Sequence, residues 1–250
     1  LNTNYYKNDE NEFYEDKFAV MIASSPVAGG NTVRLGPKPF ADKPGPDNGL
    51  GLHAATDGSL ADVWHWKSVR SGAINQFDDN YFGPLMDVKP GRYTGGYAQD
   101  PKTAGGFEQI FTKIPDSGSV KLKFLPKNLA AQQALMGAFN PDPTVSDMGQ
   151  FSMARADVTP YDAKLDEAIP LGTVIPSIVF DKPFEGDRGD VSAHAVWKDG
   201  WWTLETARKL DTGSKFDQPI ANGQYMWVAV FDHNQVRHTR HMVPMRIQLQ

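Results

Sequence analysis

The segment VSAHAVWKDGWWTLETARKL, residues 191–210, decides the fold class. Its central Asp199-Gly200 pair is typical of a two-residue type I′ turn, which joins two antiparallel strands and fixes their register. The facing pairs are then Lys198 with Trp201, Trp197 with Trp202, and His194 with Glu205. Alternation places one set of side chains on a common face that we expect to face the core, namely Ala193, Ala195, Trp197, Trp202 and Leu204. His194 lies on the other face, as a cross-strand polar residue.

Short apolar runs separated by glycine- and proline-rich stretches extend this pattern through the 250 residues, which include 23 Gly and 18 Pro. Such spacing favours strands joined by long loops. The predicted strands are 18–23, 61–69, 119–125, 173–180, 225–232 and 242–250. Two helices are predicted as insertions, at 128–139 with Asn128 as N-cap and at 161–169. We therefore expect a single domain over 1–250 that is all-β, mainly an antiparallel β-sandwich, with long loops and one or two short inserted helices.

The composition excludes several classes of function. The chain has no cysteine, so disulfides, iron–sulfur clusters and covalently attached haem are excluded. A net charge of -5 without a basic stripe argues against nucleic acid as a partner. No apolar run approaches the roughly 20 residues of a membrane span. Nucleotide-binding and hydrolase motifs are missing from the sequence, so catalysis is expected to belong to a partner.

The six histidines differ in their settings. His241 shares the parity of the apolar positions in the last predicted strand, so it is either a core histidine bonded to backbone or a metal ligand. His53 follows the glycine-rich stretch GLGL and is by default an exposed loop residue. His65 lies between two tryptophans and is predicted to point to the surface or to a neighbouring strand. His233 and His238 have polar neighbours and are predicted to lie in loops.

Several blocks resemble a known family when taken in chain order. They are NEFYEDKFAVMIA, LGPKP, a loop histidine followed by DVWHWKSVR and DDNYFGP, then WKDGWWTLETARKLDTG, YMWVAVFD and a basic C-terminal segment. Together they resemble the haem-binding domain of ethylbenzene dehydrogenase gamma subunits and related cytochromes. The resemblance covers most of the chain, and the most specific parts are the D-V-W-x-W-K block and the W-K-D-G-x-W hairpin.

The resemblance implies a β-sandwich that binds one non-covalent haem b. In the dehydrogenase branch the iron ligands are a methionine ahead of the D-x-W-x-W strand and a lysine near the C-terminus. The matching regions here offer His53 and His241, which is a departure from that pattern, with Met242 and Met21 as substitutes. Trp64 and Trp66 would belong to the aromatic surroundings of the haem. The expected partners of its propionates are the cations Lys67, Arg70 and Arg240.

Two axial histidines leave no open position on the iron, so the implied activity is outer-sphere electron transfer rather than catalysis. The implied partner is a redox protein: a molybdenum enzyme subunit, a cytochrome or a quinol-linked membrane cytochrome. The implied location is periplasmic or otherwise extracytoplasmic. Strands that the family usually carries before NEFYEDKF are scarce, so the chain is expected to lack part of an N-terminal sheet or to be a fragment.

Two alternatives stay open. The chain could be a haem-free module that binds carbohydrate on an aromatic platform, formed from Trp64, Trp66, Trp201, Trp202 and Trp227. A calcium-stabilised structural subunit could use Asp57, Asp78 and Asp79, although their spacing matches no known calcium loop.

Overall fold

The structure is a computed structural model of the chain. It describes residues 15–28, 54–55, 59–83, 97–114, 119–136, 151–234, 238–239, 241 and 243–250, with backbone alone at 54–55 and 135–136.

Short strands dominate the described part of the chain. In chain order they are β1 Lys17–Ala23, β2 Val27–Ala28, β3 Ala54–Ala55, β4 Ala61–Lys67, β5 Asp78–Phe82, β6 Tyr97–Gln99, β7 Phe107–Gln109, β8 Phe111–Lys113, β9 Val120–Leu122, β10 Phe124–Pro126, β11 Ser152–Ala154, β12 Val158–Pro160, β13 Ile178–Phe180, β14 Ser192–Lys198, β15 Trp201–Ala207, β16 Tyr225–Phe231 and β17 Met245–Arg246. The helices are α1 Leu129–Met136 and α2 Ala163–Glu167, besides three single turns of 3₁₀-helix. The all-β prediction is confirmed.

A six-stranded sheet in the order β17-β16-β1-β4-β5-β6 forms the centre of the described fold. Every neighbouring pair in it is antiparallel. β1 pairs along its whole length with β16 on one side and with β4 on the other. Its sequence KFAVMIA has apolar residues at both parities, as expected for a strand covered on two faces.

The β14–β15 hairpin packs against one face of this sheet, which we call the hairpin face. Its turn residues have positive φ, 51° at Asp199 and 83° at Gly200, as a type I′ turn requires. The predicted register is confirmed at all three facing pairs. A core cluster joins the hairpin to the sheet, with Val20, Ile22, Trp64, Trp66, Phe77, Val191 and Ala193 at its centre.

The opposite face of the six-stranded sheet, which we call the outer face, carries a smaller core cluster of Ala23, Ala61, Val63 and Phe82. A separate three-stranded sheet, β11-β13-β7, has its own core around Met153 and Val179. Strands β11 and β13 are parallel to each other, so the described fold is antiparallel with this one exception.

Three predicted strands are shorter than their apolar patterns indicated. Residues 119–125 form two strands, since β9 pairs with β8 and β10 pairs with β12. Of 173–180, only Ile178–Phe180 is a strand. Of the described residues 243–250, only Met245–Arg246 pairs with β16, directly after Pro244, which has no N–H for a sheet hydrogen bond.

Both predicted helices are present. Asn128 caps α1 as expected, since its side-chain oxygen accepts a hydrogen bond of 3.0 Å from the N–H of Ala131. Asp162 caps α2 in the same way through Lys164 and Leu165.

Candidate functional site

Three of the predicted haem-site residues, His53, Arg240 and Met242, lie outside the described residues. Their assignments stay predictions. Met21 lies on the outer face of β1 and packs partly buried against the Val63 cluster.

His241 lies before β17 and not within it, so the predicted continuation of a strand face to this residue is wrong. Its Nε2 atom accepts a hydrogen bond of 2.9 Å from the backbone N–H of Val228 in β16. Because a backbone N–H can only donate, Nε2 is unprotonated, and the neutral ring carries its proton on Nδ1. Nδ1 is 2.9 Å from the carbonyl oxygen of Val243 and donates to it. The ring is thus held in one tautomer by two backbone bonds.

Trp64 and Trp66 are core residues on the hairpin face of β4. Trp64 is 7 % exposed and packs edge-on against Phe77 at 6.3 Å between ring centroids. Trp66 is 3 % exposed and packs edge-on against Trp202 at 4.9 Å. Neither indole therefore forms part of an open platform at the surface.

Lys67, one of the expected propionate partners, is buried and paired within the chain. Its Nζ forms an ion pair with Asp78 of β5. The same carboxylate accepts a hydrogen bond of 2.6 Å from the Nε of Arg188. These three residues form what we call the Lys67 cluster. Burial alone would raise the pKa of Asp78, but Lys67 and Arg188 together hold it below its usual value. Asp78 is thus fully engaged by cations, which excludes it from the calcium alternative.

Arg70 is also paired within the chain. Its Nε forms an ion pair with Glu15, whose other carboxylate oxygen accepts from the backbone N–H groups of Val69 and Arg70 at 2.8 and 3.0 Å. Lys17 is buried nearby, and burial together with the charge of Arg70 lowers its pKa to about 7.

His65 is a residue whose environment sequence reasoning missed. Its ring stacks on Phe231 at 5.2 Å on the outer face, and its solvent-inaccessible Nε2 atom has no hydrogen-bond partner in the described part of the chain. Burial and the nearby Lys67 and Lys17 lower its pKa well below the usual value, so the ring is neutral at neutral pH. The sequence offered one signal for this environment, the shared parity of His65 and Lys67 in β4. Residues of the same parity in a strand point to the same face of the sheet.

A second buried ionic group lies on the hairpin face of β4 and β5. It consists of five aspartates and one arginine, here called the acidic cluster: Asp62, Asp79, Asp100, Asp190, Asp217 and Arg208. Burial raises the pKa of Asp62 to about 7 and that of Asp79 well above its usual value. Burial, followed by the neighbouring Asp217, raises the pKa of Asp100 to about 8. The raised pKa values favour the protonated forms of Asp79 and Asp100 at neutral pH and leave Asp62 near half-protonation, unless another positive charge joins the cluster.

A cleft of about 390 Å³ opens where the end of β4 meets the hairpin and the three-stranded sheet. Its aromatic walls are Trp66, Phe151, Phe180 and Trp202. Trp66 and Trp202 pack edge to face against each other, so their rings do not form a parallel platform in this cleft. Of the other predicted platform residues, Trp201 is 76 % exposed on the hairpin, and Trp227 stacks on Tyr225 at 6.0 Å.

The family model of ethylbenzene dehydrogenase matches residues 2–242 of the chain, which is nearly its whole length. The chain belongs to the ethylbenzene dehydrogenase family. The match confirms the resemblance seen in the tryptophan-containing blocks, and it is to the gamma-subunit-like members. No curated protein and no solved structure matches the chain significantly.

Members of the ethylbenzene dehydrogenase family of this kind are subunits of an enzyme complex. Among the residues that the structure describes, no helix is long and apolar enough to cross a membrane.

Proposed function

We propose that the chain is a b-type cytochrome domain that transfers electrons through a six-coordinate haem within a larger redox system. The observation that carries this proposal is the family match over residues 2–242. The DVWHWK and WKDGWW blocks, which occur in the order expected for the family, also support it. Both blocks lie in strands that form the main core.

The tautomer of His241 fits the role of an iron ligand at Nε2, although Nε2 already accepts a backbone hydrogen bond. Histidines that bind metals commonly donate their second ring N–H to a backbone carbonyl, which fixes the tautomer and orients the ring. His241 makes that contact through Nδ1 to Val243 and presents the lone pair of Nε2 on the other side. To bind iron, Nε2 would have to lose the hydrogen bond that it accepts from the backbone N–H of Val228.

Bound between two imidazoles, haem would supply a reversible one-electron couple with no open coordination position. The chain's own residues would hold it, exclude water and tune its potential. Arg70 and Lys67 are both engaged by carboxylates, so either would contact a propionate only by sharing its charge with Glu15 or Asp78. His53 is the proposed second ligand, as its position ahead of β4 matches the family's ligand position.

The proposed redox partner is a molybdenum enzyme subunit, another cytochrome or a quinol-linked membrane cytochrome, and the proposed location is outside the cytoplasm. Fractionation of cells that carry the tagged full-length protein tests the location. Recovery of the protein only with cytoplasmic markers would contradict it.

Haem binding is tested by adding haemin to the purified chain, followed by visible spectra and a pyridine haemochrome assay. We expect one haem per chain, a sharp reduced α band, and loss of the six-coordinate spectrum in His53→Ala and His241→Ala. His194→Ala serves as the control, because His194 is exposed on the hairpin opposite Glu205. Full haem retention in both ligand variants would contradict the assignment of these ligands.

The variant His241→Met separates ligation from folding, because a thioether also binds haem iron but raises the potential. We expect a six-coordinate spectrum with a higher midpoint potential. A protein that stays colourless with added haem would instead support the haem-free ligand-binding module, for which the cleft beside Trp202 is the available surface.

A further inference from the structure

The acidic cluster contains three aspartates from separate parts of the chain that converge on one point. Asp62 is in β4, Asp79 is in β5, and Asp217 is in the loop that precedes β16. One carboxylate oxygen from each lies within 4.8 Å of the other two, and all three residues are buried. Oxygens bound to a single calcium ion at 2.3–2.6 Å lie at most about 5 Å apart, so this spacing suits one shared ion.

Each of these three carboxylates has one oxygen that accepts a hydrogen bond from the chain and one oxygen that receives no donor from the described residues. The bonded oxygen of Asp62 accepts from Arg208 and from the N–H of Gln218, and that of Asp79 accepts from the N–H of Asn80. The bonded oxygen of Asp217 accepts from Thr212. The second oxygen of each, Oδ1 of Asp62, Oδ2 of Asp79 and Oδ1 of Asp217, is inaccessible to solvent and unpartnered.

Asp100 supplies an independent indication of a ligand. It follows β6, is 2 % exposed, and its two carboxylate oxygens both lack a hydrogen-bond donor among the described residues. Its carboxyl group lies within hydrogen-bonding reach of the carboxyl group of Asp217, and the charge of Asp62 also acts on it. A buried carboxylate with no donor at either oxygen costs several kcal/mol unless a proton or a cation satisfies it.

Among the residues that the structure describes, the positive charge beside this group is too small to compensate it. Arg208 contacts Asp62 at 2.5 Å and Asp217 at 3.8 Å, and its other hydrogen bond goes to the carbonyl of Gln218. In the described part of the chain, Arg208 is therefore the one guanidinium that acts on Asp62, Asp79, Asp190 and Asp217, and Asp100 adds a fifth carboxylate to the group. One divalent ion among the unpartnered oxygens would remove half of the remaining excess of four negative charges.

We propose that Asp62, Asp79, Asp100 and Asp217 form a buried binding site for one divalent cation, with calcium as the occupant. The donors are carboxylate oxygens without nitrogen or sulfur, which favours a hard cation over zinc or copper. The ion would connect β4, β5, the end of β6 and the loop around Asp217. This site lies on the hairpin face and uses none of the proposed haem ligands.

The first experiment treats the full chain with a chelator and then titrates it with calcium and, separately, magnesium by calorimetry. We expect one calcium per chain, weaker magnesium binding, and a higher melting temperature with calcium. Terbium offers a second measurement, because Trp64 lies opposite Asp79 in the β4–β5 register and would sensitise its emission. Absence of saturable calcium binding and of any change in melting temperature would overturn the proposal and leave protons as the compensating charge.

The location of the site is tested with Asp79→Asn and Asp100→Asn, against Asp181→Asn as an exposed control. Both cluster variants should weaken calcium binding by roughly two orders of magnitude, since even residues behind metal ligands are worth about 10- to 100-fold. The control should bind like the wild type. If Asp79→Asn does not fold, Asp100→Asn decides, and wild-type affinity in that variant would refute the location.

Discussion

The Lys67 cluster and the acidic cluster lie on opposite faces of the same two strands, and they differ in how their charges are compensated. Asp78 and Asp79 are adjacent in β5 and point to opposite faces by alternation. Asp78 meets two cations, Lys67 and Arg188. Asp79 meets further carboxylates. On the outer face, cations of the chain itself compensate the buried carboxylate. On the hairpin face, the buried carboxylates need a proton or a cation from solution.

The largest effect should come from Arg208→Met, which removes the single cation of the acidic cluster. Breaking a buried ion pair by removing one partner costs about 3–5 kcal/mol, and here two carboxylates, Asp62 and Asp217, lose their neighbouring cation. The free energy of unfolding, measured with urea in chelator, should fall by this amount. Lys209→Met, which changes the exposed neighbouring residue, is the control and should change it little. Equal stability of the two variants would mean that Arg208 does not compensate the cluster.

Lys67→Met should have a smaller effect on the opposite face. Arg188 still contacts Asp78 in this variant, so the carboxylate keeps one of its two cations. We expect a loss of about 2–3 kcal/mol in urea unfolding, less than for a carboxylate left wholly unpaired. Lys198→Met on the exposed hairpin is the matched control. A loss larger than that of Arg208→Met would reverse the ranking of the two clusters.

The third prediction concerns pH, in chelator, and compares the wild type with Asp100→Asn. The pKa of Asp100 is raised to about 8 in the folded protein, against about 4 when unfolded. The folded state therefore binds this proton more tightly, and the resulting stability is complete below about pH 4 and lost as the pH rises through about 8. The wild type should lose stability relative to Asp100→Asn between pH 5 and pH 8.5.

Urea unfolding at several pH values gives this difference directly, and groups other than those coupled to Asp100 contribute equally to both proteins. A difference that does not change with pH would show that the carboxyl is ionised in the folded state throughout. Saturating calcium should reduce the dependence on pH, because the cation then replaces the proton.

The smallest effect is expected at His194, where a polar pair lies in the open. His194→Ala removes the residue opposite Glu205 on the solvent side of the hairpin. Exposed pairs are worth about 0–1 kcal/mol, so the melting temperature should shift by no more than a few degrees. A loss of stability as large as that of Lys67→Met would mean that an exposed polar pair contributes as much as a buried ion pair.

The sequence allowed prediction of the hairpin, including its register, because Asp199-Gly200 determines both through local backbone geometry. The same local reasoning failed for the C-terminal strand. Its apolar alternation is present, but Val243 is 79 % exposed, and only Met245–Arg246 pairs with β16. Alternation indicates which residues share a face and not whether a neighbouring strand covers it.

The buried charges could not be predicted from the sequence for a different reason. Asp78 has one partner 11 residues before it and another 110 residues after it, and Asp62 finds Arg208 146 residues away. Local pattern treats each of these as a surface charge, because isolated charges are almost never buried. The bonding of His241 to the backbone was one of the two alternatives that the sequence offered for this residue. The other alternative, iron ligation, stays a prediction.

The six-stranded sheet ends, among the described residues, on its two shortest strands, β17 with two residues and β6 with three. Each offers few free N–H and C=O groups to a strand of another molecule. Pro244 directly before β17 further limits extension of that edge. At these two described edges, the long inner strands are therefore shielded from edge-to-edge pairing between copies of the chain.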